Sequence, residues 1–199
     1  MIAPRKIKFK AEKKRDENYE FRIFLKGNAD EEELDEQFHR LHKELFAGYD
    51  CSRCRNCCKM YRGNIPKEDL ARDAKYMGLT KDQFIEKYLL EGDGENGYQT
   101  KNVPCDFLGT DGNCQLGDNR PESCKKYPYT DQPDRWASLY SVLNVIEVCP
   151  VAFEIYERLK KNTGGDTGIE CQSETSFPIR KDTGLGGADA QLSRLAISI

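Results

Sequence analysis

The sequence predicts an α+β fold: a small, mainly helical, metal-stabilised domain with short β-hairpins and a flexible C-terminal tail. Three observations predict it. Capped segments with apolar residues at helical spacing recur through the middle of the chain. Short apolar runs bounded by turn residues lie near its start and around residues 105–114. Eight of the nine cysteines fall between positions 51 and 149, in a chain of 199 residues with 38% apolar and 33% charged content. That composition supports only a modest hydrophobic core, which bound metal would reinforce.

Residues 1–28 carry Ile7 and Phe9 in one alternating run and Tyr19, Phe21, Ile23 and Leu25 in another, with polar residues 12–18 between them. A period of two reads as a β-hairpin or basic extension. Through Lys26 this segment holds nine Lys and Arg against four Asp and Glu, a solvated strand face or a surface for an acidic partner. Asp30 then caps a helix, with Glu33 as its capping-box partner and Leu34, Phe38, Leu41 and Leu45 on one stripe. His39 and His42 flank that stripe and are read as partly exposed polar residues, not ligands.

Cys51, Cys54, Cys57 and Cys58 follow, four thiols in eight residues. A Cys-x-x-Cys step brings two sulfurs to one side of a tight turn, and here two steps run end to end. The spacing specifies thiolate ligation more strongly than the element, so zinc and an iron–sulfur cluster both remain open. Adjacent side chains diverge, which assigns Cys57 and Cys58 to different sites or to a cluster. Cys105, Cys114, Cys124 and Cys149 complete a set of eight candidate ligands. Eight thiols suit two four-ligand sites, or one cluster with further thiols kept for packing or redox chemistry. Arg53, Arg55, Lys59 and Arg62 would offset the charge of thiolate ligands.

A disulfide scaffold is the competing account. The start of the chain is charged and lacks the apolar stretch of a secretory signal, and nine is an odd count. These features point to a reducing intracellular compartment and to metal.

Beyond the cysteine run, Pro66 is expected to open a helix through about Tyr76 that Gly78 terminates. Thr80 and Gln83 form a capping box for a second helix, whose buried face includes Phe84 and Tyr88 and which residues 92–97 end. Asp111-Gly112 predicts a hairpin that brings Cys105 and Cys114 together. Pro121 precedes one helical turn that fixes Cys124. Residues 136–148 are apolar and β-branched, compatible with helix or strand. Pro150 at the first helical position puts Cys149 at an N-cap, where backbone N–H groups favour a thiolate.

From residue 162 the chain is glycine-rich and polar, a flexible tail or an arm for a partner. Cys171 stands alone there and is read as incidental. The organisation expected is thus 1–28, 29–161 and 162–199. A protein partner through residues 1–28 or 162–199 is expected. No run approaches a membrane span. A net charge of −3 and a pI near 5.6 make nucleic acid an unlikely partner.

The combined pattern resembles the YkgJ-type cysteine-cluster family, a zinc- or iron-chelating domain named for its CxxCxxCC motif. The matching pieces are Cys51–Cys58, Pro104-Cys105-Asp106-Phe107-Leu108 with Cys114, the Arg120-Pro121-x-x-Cys124-Lys125-x-Tyr127-Pro128 box, and Cys149-Pro150. The resemblance covers roughly residues 48–160 and implies a metal-chelating domain related to the cysteine-rich part of flagellin lysine N-methylases. That relation raises one alternative to simple chelation, and the basic N-terminal segment with the Gly-rich tail raises another. The first is a metal- or cluster-dependent protein-modifying enzyme; the second is an accessory subunit with a structural metal core. The Gly-rich stretches at 164–168 and 184–187 lack the strand and helix that would aim their amides at a methyl donor.

Overall fold

The computed structural model describes residues 1–90 and 97–163 and is predominantly helical, with one two-stranded antiparallel sheet. After a single 3₁₀ turn, α1 (Ile7–Lys13) and α2 (Arg15–Asn28) occupy the segment expected to be a hairpin. The correction lies in the period. Ile7 pairs with Ala11 and Phe21 with Leu25 in the core, each four residues apart, whereas Phe9 and Ile23 are 59% and 56% exposed. Exposed apolar residues on the outer face create a false alternation, and the buried ones follow the helix. Asp16 and Glu17 in the first turn of α2 and Lys26 in its last suit the helix dipole.

Helix α3 (Glu31–Phe46) starts as expected: the Asp30 carboxylate accepts from Glu33 N at 3.1 Å, and Leu34, Phe38, Leu41 and Leu45 are buried. The box is half formed, because Glu33 Oε1 lies 3.4 Å from Gln37 Nε2, an amide that donates to it. His42 packs on Phe46 with ring centroids 4.4 Å apart, and its Nδ1 lies 2.8 Å from Thr130 Oγ1, so it has a structural place.

The cysteine run forms α4 (Cys51–Cys54) and α5 (Asn56–Met60). Beyond it β1 (Asn64–Ile65) pairs with β2 (Tyr98–Gln99), Asn64 opposite Gln99 and Ile65 opposite Tyr98. Between these strands lie α6 (Leu70–Tyr76) and α7 (Lys81–Tyr88). Pro66 opens a turn, closed by Asp69 N donating to Pro66 O at 3.0 Å, and the helix proper begins only at Leu70. Gly78, at φ +71°, ends it: Leu79 N reaches back to Ala74 O at 2.9 Å, and a left-handed residue there favours glycine. The Thr80–Gln83 capping box forms in both directions, at 2.9 and 3.2 Å. The expected hairpin at 105–114 contracts to a single bridge between Leu108 and Cys114 around the Asp111-Gly112 turn.

The short α8 (Glu122–Lys126) carries Cys124, and the ambiguous run is helical, α9 (Arg135–Ile146), with Leu139, Val142 and Ile146 buried at helical spacing. Asp35 of α3 accepts from Asp134 N and Arg135 N at 2.8 and 2.7 Å, a cap supplied from a distant helix. Helix α10 (Pro150–Asn162) begins with Cys149 at its N-cap and Pro150 at its first position, as the sequence predicts.

Two cores result. Helices α1, α2, α3, α9 and α10 form a bundle around Leu25, Phe38, Leu139, Ile155 and Tyr156. Tyr156 meets Phe21 edge-on at 5.3 Å, and its hydroxyl donates to Asn18 O at 3.0 Å. A smaller core gathers Ile65, Leu70, Phe84, Leu89, Phe107 and Leu116. No described helix is long and apolar enough to cross a membrane. The thiols lie between the two cores: Cys149 belongs to the first, and Cys105 and Cys114 pack against the second.

Candidate metal centre

The Cys51–Cys58 run is two short helical turns joined by one left-handed residue, not two identical tight turns. Asp50 starts the first by accepting from Ser52 N and Ser52 Oγ at 2.8 and 2.5 Å. Arg55, at φ 47° and ψ 24°, breaks the helix and redirects the chain, and Asn56 begins the second turn. Two contacts fix this run against distant segments. Asn56 Nδ2 donates to Val148 O at 2.7 Å, beside Cys149, and Cys105 N donates to Cys58 O at 2.8 Å.

These contacts sort the eight thiols into two clefts. One is lined by Cys51, Cys54, Cys57 and Cys149, together with Tyr49, Arg55 and Arg120. The other is lined by Cys58, Cys105, Cys114 and Cys124, with Gly63, Arg120 and Pro121. Cys57 and Cys58 thus line different members of this pair of clefts, although their sulfurs are only 3.9 Å apart and both also border a third, larger cavity. All eight are free thiols; Cys51 is exposed, Cys149 buried, and the others half-buried. The sulfurs do not yet converge on a point: among the described residues, no three Cys, His, Asp or Glu side chains are gathered as a formed metal site. Cys171 and both Gly-rich stretches lie outside the described residues.

Burial dominates the thiol electrostatics, raising the pKa of Cys51, Cys105, Cys114 and Cys124. Cys149 is pushed up to about 12 by burial, against the backbone N–H groups of Ala152 and Val151 that pull it down. The N-cap therefore assists the Cys149 thiolate without overcoming desolvation. Cys57 is lowered by its hydrogen bond with Cys58, and the same contact, with burial, raises Cys58.

The charge that faces the sulfurs most broadly is Arg120. It lines both clefts, favours the thiolates of Cys51, Cys57, Cys58, Cys114 and Cys124, and is held by its guanidinium donating to Cys124 O. Of the basic residues near the first run, Arg55 also acts on Cys51, Cys58 and Cys114. Lys59 and Arg62 donate to the Cys54 and Lys101 carbonyls. The sequence marks Arg120 only as part of the Arg120-Pro121 box; its charge role appears once the fold sets it between the clefts. Asn56 carries no sequence signal, since its partner is 92 residues away.

The donor set fits a thiophilic metal. Each cleft offers four sulfurs, neither is lined by a carboxylate, and a fixed guanidinium stands between them. Searches of curated proteins and of solved structures returned no match. A family model did match: CxxCxxCC, described as "Putative zinc- or iron-chelating domain", over residues 50–150. That span is just over half of the chain and contains every one of the eight clustered thiols, so the chain belongs to the CxxCxxCC family of zinc- or iron-chelating domains.

Proposed function

We propose that the protein is a metal-chelating domain that holds zinc or iron in two four-thiolate sites. Cys51, Cys54, Cys57 and Cys149 would serve one site, and Cys58, Cys105, Cys114 and Cys124 the other. The single observation that carries this reading is the sorting of eight thiols into two clefts of four. Four thiolates satisfy tetrahedral zinc, or iron in a sulfur environment, with no ligand from water. The bound ion would neutralise thiolates that burial otherwise disfavours, and would join segments that run between the larger and the smaller core. Arg55 and Arg120 would balance the residual negative charge. The part played by the metal is structural, because a closed four-sulfur shell leaves no open coordination position for a substrate.

Elemental analysis of protein purified without oxygen tests this directly. The expected result is about two zinc or iron ions per chain for separate mononuclear sites. Cys54→Ser should lower the content of the first site and Cys114→Ser that of the second, each sparing the other. Each single variant should therefore fall from about two ions to about one, and the double variant should hold almost none; loss of both ions from either single variant would contradict two independent sites. Unchanged content in either variant would remove that thiol from the set. A visible absorption band with acid-labile sulfide would replace mononuclear sites with an iron–sulfur cluster.

A further inference from the structure

A cavity of about 210 Å³ opens beside the second group of thiols. Tyr61, Tyr127 and Tyr129 wall it, and Cys57, Cys58, Cys105 and Cys124 border it. The rings meet edge to face, with centroids 6.0 Å apart for Tyr61 and Tyr127 and 6.2 Å for Tyr127 and Tyr129. Metal chelation gives no reason for such a wall.

Three features mark the cavity as built. The hydroxyls of Tyr127 and Ser123 are both buried without a hydrogen-bond partner, and both residues line it. Unmet hydroxyls in a protein interior are costly, and a ligand oxygen would satisfy them. Tyr129 has φ +61°, a conformation a bulky residue holds only where its surroundings impose it. Its hydroxyl is anchored by donating to Ser123 O at 2.6 Å. Gly63 packs tightly at the cavity's edge: a Cβ there would stand 3.0 Å from Cys105 Sγ and 3.2 Å from Thr100 Cγ2.

The polar lining selects the ligand. Alongside the two unmet hydroxyls stand Asn64 and Arg62, whose guanidinium spends one N–H on Lys101 O at 3.3 Å. No carboxylate lines the cavity, and its only anionic groups would be the thiolates of Cys57, Cys58, Cys105 and Cys124, whose charge bound metal would offset. Aromatic walls favour a flat ring, the donors favour acceptor oxygens, and the arginine favours a negative charge. The volume lies below the roughly 300–1,000 Å³ of drug-sized pockets, so the ligand is small. We propose that this tyrosine-walled cavity binds a small planar carboxylate of the aromatic-acid class, with its ring against the tyrosines and its oxygens on Tyr127, Ser123 and Arg62. The inference concerns the cavity itself and goes beyond metal chelation.

Calorimetric titration of the metal-loaded protein, its metal content measured beforehand, tests the proposal with three probes of one shape: benzoate, benzamide and benzylamine. Benzoate should bind with a dissociation constant of about 1 mM or tighter, benzamide more weakly, and benzylamine least. Tyr127→Phe should weaken benzoate about five-fold and Arg62→Gln about ten-fold or more, each compared at equal measured metal content. Ser123→Ala gives an independent reading if either variant folds poorly. Absence of benzoate binding, tighter binding of benzylamine, or a benzoate affinity untouched by these substitutions overturns the proposal. A preparation without metal would contradict the chelation reading alone, and benzoate titration of the same sample would still decide the cavity.

Discussion

Asn56 ties the first thiol segment to the last through one amide. It is almost fully buried, and its Nδ2 donates to Val148 O immediately before Cys149. Asn56→Ala leaves that carbonyl without its partner, which should cost about 1–3 kcal/mol in urea denaturation. The same substitution should lower metal content through the Cys51, Cys54, Cys57 and Cys149 cleft and spare the other. His42 supplies a second residue-scale test, away from the thiols. Burial lowers its pKa below the ordinary 6.5, with Asp131 opposing and His39 assisting. A depressed histidine is neutral in the folded state, so the unfolded chain binds more protons just below pH 6.5. Its contribution is therefore complete above about pH 6.5 and is lost as pH falls through the lowered folded value. The fall in melting temperature from pH 7.5 to 5.5 should be larger for wild type than for His42→Gln; equal falls would refute the assignment.

At the scale of elements, α1 and α2 separate what the sequence makes legible from what it does not. Leu25 is fully buried and Ile23 is 56% exposed on the same helix. Leu25→Ala should cost about 2–5 kcal/mol, and Ile23→Ala within about 0.5 kcal/mol. Similar costs in denaturant unfolding would contradict the helical packing of this segment. Helix α3 is legible because its four core residues follow one stripe and Asp30 caps it. The segment of α1 and α2 is not, because Phe9, Tyr19 and Ile23 place apolar side chains on the solvent face and mimic a period of two. Helix α9 stays ambiguous for a related reason: an apolar run with exposed Tyr140 gives no clean stripe. The clustering of the thiols is legible from spacing alone, since four of them fall within Cys51–Cys58. Their sorting into clefts is not. It depends on Asn56 meeting Val148 and Cys58 meeting Cys105, contacts between segments far apart in sequence.

For the whole molecule, the unequal sizes of the two cores set the response to metal removal. The bundle of α1, α2, α3, α9 and α10 buries Phe38, Leu139, Ile155, Tyr156 and many other apolar side chains, and Lys160 joins it through ion pairs with Glu17 and Glu157. The smaller core rests on little beyond Ile65, Leu70, Phe84, Leu89, Phe107 and Leu116. Ordering a residue costs about 1–2 kcal/mol in backbone entropy, so a core this small is marginal alone. Structural zinc supplies apparent binding energies of about 10–16 kcal/mol in small thiolate domains. Chelator treatment should therefore strip hydrogen-exchange protection first from α6, α7 and residues 97–126, while α3, α9 and α10 remain protected. Restoring zinc or iron should restore the lost protection. Simultaneous loss throughout would mean that the thiol seam couples both cores into one cooperative unit; unchanged protection after complete metal removal would mean that the smaller core stands without it.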